Sequence, residues 1–462
     1  MKATFAKVLG LTLVLALVLS GCNLIEIDAK MQADEDIAEI DKAYSTVVAT
    51  YDGGEITVGE TLGDFNSMYN EMYYMYSYFG IPMGHEQEHA IIEDTLTQHV
   101  RSEVAAAHYD AEHSLSQEEL DEAAASAQAN YDANLEYAME SAEGDNDNQR
   151  AENARVMMYA AGMDYDTLYA NAVLNAKHAA MEELLRDEIT ELTDEELQAA
   201  YDEKVAEQQE SYTDGTSFES AMSGGNEIVC WRPDGYRAVK HILVRPSDET
   251  MSAYSTAASA LSSAQYVLDS LNDELDAAND DEAVEGERTP EEIQADIEEA
   301  QIELENCEND VADAAQACLD EVQDVTDEIY GRLEAGESFE DLIAEYGEDP
   351  GMQNEPTMTS GYYVSSESTA WEVNFRDAAM ALNQVGDYTA EPVVSGSGVH
   401  IIQYTADVLG GEVGLDEVRD ALYEEALENA KAAHATETID AWVEEVNPVY
   451  YVDAFESAIS GS

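Results

Sequence analysis

Positive charge is what this 462-residue chain most lacks: 19 Lys and Arg stand against 101 Asp and Glu, a formal net charge of −82. A polyanion of that size cannot neutralise phosphates, which excludes nucleic acid as a partner. It also repels anionic headgroups, so any hold on a membrane has to come from lipid and not from charge. Either basic or unfolded polycationic chains are attracted instead, or the acidic surface simply serves solubility or a saline habitat. Cysteine is scarce as well. Setting Cys22 aside leaves Cys230, Cys307 and Cys318, an odd number without metal-type spacing or a paired framework. A helix over 307–318 would hold Cys307 and Cys318 about 16 Å apart, beyond disulfide reach, so no bridge between them is expected. There is no phosphate loop; Ser395-Gly396-Ser397-Gly398 precedes a strand and reads as a tight turn, not a nucleophile elbow.

No apolar run has the roughly 20 residues a spanning helix needs. The longest, Val8 to Leu19, follows the basic Lys2 and Lys7 and ends in Leu19-Ser20-Gly21-Cys22. That order predicts a signal peptide over 1–21. Its ending resembles the bacterial lipobox, which implies cleavage before Cys22 and diacylation of its thiol, two acyl chains being enough for stable anchoring. The competing reading is an ordinary cleaved signal with a chance cysteine. The expectation is an extracytoplasmic bacterial protein, lipid-anchored through Cys22 and carried on a tether over 22–45.

The remainder, 45% apolar, is a folded chain of two or three domains. Val47 to Tyr51 reads as a strand, Asp52-Gly53-Gly54 as a turn and Glu55 to Val58 as a short return. From Leu62 to Gln209 the pattern is helical, with capped starts at Ser116-Gln117-Glu118-Glu119 and Thr193-Asp194-Glu195-Glu196. Met68, Tyr69, Met72 and Tyr73 to Tyr76 cover more than one face of such a helix, together with Tyr78 and Phe79. They are either an adaptable surface for apolar segments or an all-round buried helix.

A β-rich module begins near Ile228, with Ile228 to Trp231 and Tyr236 to Val244 strand-like around the turn Arg232-Pro233-Asp234-Gly235. Residues 253–325 then turn helical, broken between Asn279 and Pro290. Tyr254, Leu261, Leu268 and Leu275 recur every seven residues in the first arm. Ile293, Ile297, Ala300, Leu304, Cys307, Val311, Ala314 and Cys318 alternate spacings of four and three in the second. This is the seam of an antiparallel coiled-coil hairpin, with both cysteines filling its core. Beyond it come helices at Asp327–Leu333, Phe339–Tyr346 and Phe375–Leu382, and strands at Gly361–Val364 and Gly398–Tyr404. Last are a long helix over Leu415–Val446 and a strand at Val449–Val452.

Three stretches in order resemble the parvulin-type peptidyl-prolyl isomerases. They are Val239-Lys240-His241-Ile242-Leu243-Val244; Gly336-Glu337-Ser338-Phe339 on to Gly347-Glu348-Asp349-Pro350-Gly351; and Phe375-Arg376-Asp377-Ala378-Ala379-Met380-Ala381-Leu382 through Glu391-Pro392-Val393 to Ser397-Gly398-Val399-His400-Ile401-Ile402. The flanks resemble, more softly, the chaperone part of the PrsA foldase lipoproteins and of SurA. The resemblance implies an α+β architecture. A mostly helical chaperone domain over 46–227 is completed by a C-terminal segment, 409–462. An isomerase domain with a small antiparallel sheet, 228–408, is inserted in it and itself carries the hairpin at 253–325.

The resemblance also implies a cofactor-free site. His241 and His400 match the family's back-to-back histidines, Ser397 a hydroxyl near them, and Asp349 a position that is a cysteine in some members and an aspartate in the foldase branch. Trp371, Phe375 and Met380 match the apolar cup for the proline ring, with Tyr362 or Tyr363 as its wall. Trp371 departs from the usual methionine or glutamine and would narrow or cover the cup. The histidines could equally be a device that holds the sheet, and Asp349 a turn cap. No basic cluster accompanies the pocket, which argues against phosphorylated targets.

The function implied is a foldase that binds unfolded, newly exported polypeptides and isomerises their X-Pro bonds. The alternatives are a holdase with an inactive isomerase fold, or a structural lipoprotein whose 253–325 hairpin docks a partner. No metal site is expected. His85 and His89 have the i, i+4 spacing metal sites use, but no third ligand lies near in sequence, so packing or surface roles are favoured.

Overall fold

The structure, a computed structural model, describes residues 29–213, 216–280 and 288–460. The expected signal peptide and Cys22 lie outside the described residues. The chain divides into two units, one made by residues up to Leu192 together with those from Leu427 onward, the other by Thr193–Ala426.

The first unit opens with a departure from expectation. Residues 22–45 were expected to be a polar tether, yet Ala29–Tyr44 is a helix, α1. Ala33 and Ile40 on it are buried in a cluster with Val156 and Ala160. The Tyr44 hydroxyl donates to the Ala160 carbonyl at 2.6 Å. Four small or apolar side chains thus hold a segment that reads as polar overall. Strands β1 (Val47–Tyr51) and β2 (Gly54–Thr57) form the expected hairpin. Gly53 turns it at φ +131°, a conformation glycine adopts without strain.

Helices α2 (Val58–Tyr78), α3 (His85–Glu112), α4 (Gln117–Ser141), α5 (Asp147–Ala160) and α6 (Tyr165–Glu188) follow. Ser116 caps α4 as its sequence suggests: its hydroxyl accepts from the Glu119 amide at 3.2 Å while the Glu119 carboxylate accepts from the Ser116 amide at 2.6 Å. The core of this unit joins Val48, Ile56, Leu62 and Phe65 to Ile92 and Leu96 of α3. In α2 the buried residues stop at Phe65. Beyond it Tyr74, Met75, Tyr78 and Phe79 are exposed.

The second unit starts with α7 (Asp194–Ser211), capped reciprocally by Thr193 and Glu196, and α8 (Thr216–Gly224). The sequence grouped these with the preceding helices. In the structure Leu197, Tyr201 and Val205 of α7 pack on Cys230 and Leu422, and the Tyr201 hydroxyl donates to the Val413 carbonyl at 2.6 Å. The first predicted strand, Ile228–Trp231, shrinks to β3 (Trp231–Arg232). Strand β4 (Arg237–Val244) is buried from Ala238 onward, as a central strand should be.

Helices α9 (Asp248–Asp280) and α10 (Pro290–Glu334) form the antiparallel pair. Leu268, Ile293 and Ile297 pack together toward its tip with Leu271, Leu275 and Leu304. Its base is part of the sheet's own core: Cys318, Val322 and Ile329 meet Ile242, Val244 and Ile401. The helix expected separately at Asp327–Leu333 is the end of α10, which runs unbroken for 45 residues until Gly336 takes φ +88° past its end.

After α11 (Phe339–Tyr346) come β5 (Tyr362–Val364), α12 (Val373–Ala381), β6 (Val393–Ser395), β7 (Gly398–Asp407) and β8 (Gly411–Glu412). The four-stranded sheet has the order β5-β4-β7-β6, antiparallel throughout, and β3 pairs with β8. Helix α13 (Leu415–Glu445) leads back to the first unit, where β9 (Val449–Tyr450) pairs with β1. The predicted strand Val449–Val452 is cut short because α14 (Val452–Ser460) begins there and buries Phe455. Small antiparallel sheets beside long helices make the chain an α+β protein. Among the described residues, no helix is long and apolar enough to cross a membrane.

Candidate active site

Strand β4 places His241 in the middle of the sheet, and its neighbour β7 carries His400. The register pairs His241 with Ile402 and Leu243 with His400. The two histidines are therefore diagonal neighbours on one face, a separation aromatic side chains bridge. Both are buried, and their Nδ1 atoms lie 2.8 Å apart. The β4 end also positions the third member, because the Glu348 amide donates to the Leu243 carbonyl at 2.9 Å and leaves Asp349 beside the strand. Asp349 Oδ2 sits 2.7 Å from His241 Nε2 and 2.9 Å from the Tyr362 hydroxyl, while Oδ1 accepts from the Gly351 amide at 3.1 Å.

The serine at the other end is not the expected one. Ser397 is exposed in the β6–β7 turn, whereas Ser395 Oγ lies 2.7 Å from His400 Nε2. The role of Ser397 is one step removed: its amide donates to Ser395 Oγ at 3.0 Å. Strand periodicity could have distinguished them. Val393 pairs with His400 and Ser395 with Gly398, so Ser395 shares the face of His400 and Ser397 belongs to neither strand.

Electrostatics gives this row a direction. Burial alone would raise the Asp349 carboxyl, but the hydrogen bonds it accepts from His241, the Tyr362 hydroxyl and the Gly351 amide outweigh it and hold the group at about 2. Burial, and then the neighbouring His241, lower His400 to about 3, against a weaker upward pull from Asp349. One assignment satisfies every member without burying a positive charge. Ser395 donates to His400 Nε2, His400 Nδ1–H to His241 Nδ1, and His241 Nε2–H and Tyr362 to the ionised Asp349. Burial and the hydrogen bond to Asp349 push the Tyr362 phenol well above its ordinary range, so it remains a donor.

Over this row lies an aromatic roof. The Phe375 ring stands edge-on to His241 and His400, with centroids 5.4 and 5.2 Å away. Trp371 stacks on Phe375 at 5.2 Å and 28°, and Tyr362 lies 4.8 Å from Trp371. Met380 joins the same cluster from α12. Phe375 is only 3% exposed, so Trp371 covers the cup, pinned there by its indole N–H donating to the Tyr363 carbonyl at 2.9 Å. Alternation along β5 separates the two tyrosines offered as the wall. Tyr362 faces His241, while Tyr363 turns to the opposite side and packs on Phe218 at 5.6 Å.

What gathers here is a dry, apolar cup floored by polar groups that are all engaged. Ser395 does donate to His400 Nε2, but both are buried and that imidazole, held at about 3, is a poor base. Such a site suits a reaction that needs a substrate reshaped and not a bond broken.

Among curated proteins none matches the chain. Of solved structures, a peptidylprolyl isomerase (PrsA) from Bacillus cereus aligns at 15% identity over 90% of this chain and 99% of its own, with a TM-score of 0.18. The foldase protein PrsA of Streptococcus pneumoniae aligns at 13% over 89% and 98%, TM-score 0.24. A SurA-like chaperone structure from Campylobacter jejuni aligns at 16% over 88% and 100%, TM-score 0.21. These scores are too low to establish a shared overall arrangement. The family model of the rotamase, or PPIC-type PPIase, domain matches residues 307–406. That span holds Asp349, the aromatic roof, Ser395 and His400, while His241 stands before the helical pair on β4. The chain thus carries a peptidyl-prolyl isomerase domain of the PPIC, or parvulin, type.

Proposed function

We propose that this protein is an extracytoplasmic foldase, anchored by lipid on Cys22, that holds newly exported, unfolded polypeptides and isomerises their X-Pro bonds. The observation that carries the proposal is the hydrogen-bonded row Tyr362–Asp349–His241–His400–Ser395 beneath the Phe375 and Trp371 rings. Twisting a peptide bond costs roughly 20 kcal/mol because resonance is lost, and unaided X-Pro isomerisation takes tens of seconds or more. In the twisted state the prolyl nitrogen is pyramidal and the carbonyl loses amide character. A site that removes water and holds the ring between Phe375 and Met380 favours that state over either planar one.

In this reading His241, Asp349, His400 and Ser395 fix the floor's polarity and shape. Ser397 supports Ser395 through its amide, and Tyr362 forms the wall. The proposed domains are an isomerase within 228–408 bearing the 253–325 hairpin, inside a chaperone body made of 46–227 and 409–462. The exposed Tyr74, Met75 and Tyr78 of α2, with Phe79 just past its end, support the chaperone part, because a Met/Tyr surface adapts to varied apolar segments. A lipid on Cys22 would keep the body close to emerging chains. The hairpin is offered as a docking arm for a further partner.

A holdase reading is favoured by one observation, the covering of Phe375 by Trp371. Measuring cis/trans exchange in a proline peptide with wild type, Asp349→Ala and Phe375→Ala separates the two. The foldase predicts acceleration that falls at least tenfold with Phe375→Ala, and no acceleration by the wild type would leave the holdase. Cys22→Ala should release the protein from membranes; retention there would remove the anchor.

A further inference from the structure

His85 and His89 begin α3, and the chain's end supplies what local sequence does not. Glu456 on α14 brings its carboxylate to both: Oε2 lies 3.0 Å from His89 Nε2 and Oε1 lies 3.5 Å from His85 Nδ1. The three donor atoms all fall within 4.8 Å of one another. We propose that these residues form a binding site for a transition-metal dication of the zinc type, a metal clasp between the start of α3 and α14. Four ligands at about 2.1 Å in a tetrahedron stand about 3.4 Å apart. The two nitrogen-to-carboxylate distances already bracket that value. Closing the third needs only a turn of the His85 ring, which is free to move, its side chain being 62% exposed.

The backbone under the donors is fixed. Glu456 follows Phe455, which is fully buried and meets Phe65 edge-on at 5.1 Å. Ile91 and Ile92 anchor α3 just past His89. Two histidines at i, i+4 with one glutamate and an open fourth position form the donor set that zinc, cobalt and nickel accept with a water. Imidazole selects these over calcium and magnesium, which prefer all-oxygen shells. The helix dipole at an N-terminus opposes a cation, but Glu86 and Glu88 in the same turn counter it. The chain's −82 charge raises the local concentration of dications.

The test is titration of the full soluble chain with Co²⁺ by visible absorption and with Zn²⁺ by calorimetry, over excess Mg²⁺ to occupy the other carboxylates. One tight equivalent with tetrahedral or five-coordinate cobalt bands is expected. His85→Ala, which sits at an exposed position and cannot unfold the unit, should weaken it about tenfold or more, as should His89→Ala and Glu456→Gln. His434→Ala removes a different His–Glu pair, 3.0 Å from Glu188, and should change nothing. Asp349→Ala should also leave binding intact, so the clasp and the isomerase reading stand or fall separately. Equal affinity in wild type and the three ligand variants would overturn the proposal, as would binding that excess Mg²⁺ abolishes.

Discussion

His400 stays neutral in the fold far below the pH at which a free imidazole charges, and that links the isomerase sheet's stability to pH. Its ordinary value of 6.5 falls to about 3 because burial and the adjoining His241 disfavour a charge. The group is depressed on folding, so its contribution is complete above 6.5 and is lost as pH falls toward 3. At pH 5 the unfolded chain binds the proton and the folded one does not, a difference of about 1.5 pH units or about 2 kcal/mol. The 101 Asp and Glu residues are common to both proteins, so the useful comparison is with His400→Gln, whose amide can still bridge His241 and Ser395 without charging. Urea unfolding of both proteins at pH 7 and pH 5 measures it. The variant should be the less stable at pH 7, and the gap should narrow by about 2 kcal/mol at pH 5. Nitrogen-15 NMR at pH 7 should find the His400 proton on Nδ1 and the His241 proton on Nε2. A gap that does not change with pH, or a His400 signal titrating near 6.5, would refute the reasoning.

Trp371→Ala should uncover Phe375 and raise peptide binding or the exchange rate, at a cost of about 1 kcal/mol from the lost ring pair; a slower variant would make Trp371 part of the cup. A Cβ on Gly351 would fall 1.8 Å from the Tyr362 hydroxyl, so Gly351→Ala should evict that hydroxyl from Asp349 and lower the rate as Tyr362→Phe does. Its stability loss, read by denaturation, should be about 2 kcal/mol for a hydrogen bond to a charged group. Ile297→Ala should loosen the hairpin by about 2–5 kcal/mol. The buried Cys307 thiol then reacts faster with a thiol reagent while the isomerase rate holds, because no site residue lies on that stretch.

Much of the sheet could be read directly. Strand β4 shows because Ala238, Val239, Ile242, Leu243 and Val244 crowd a short stretch rich in β-branched residues, and the hairpin because its four-three spacing persists over many turns. Short elements failed for the opposite reason: β3 and β9 are two residues each, too brief for any period to register. Helix α1 was hidden by its own polarity, since two buried side chains, Ala33 and Ile40, carry its packing. The packing of Leu197, Tyr201 and Val205 on Leu415, Val418 and Leu422 could not be read, because periodicity says which face is apolar but not what covers it.

The site divides along the same line. Residue types and their order along the chain pointed to His241, Asp349 and His400, which the structure joins at 2.7 and 2.8 Å. The choice between Ser395 and Ser397, and between Tyr362 and Tyr363, depended on strand facing, which moves by one residue with the register. Glu456 is the extreme case. It stands 367 residues from the histidine it touches, and an i, i+4 pair judged on nearby sequence alone lacked its third donor. Sequence distance was therefore no evidence against a ligand here, because this fold returns its last helix to the unit its first helices build.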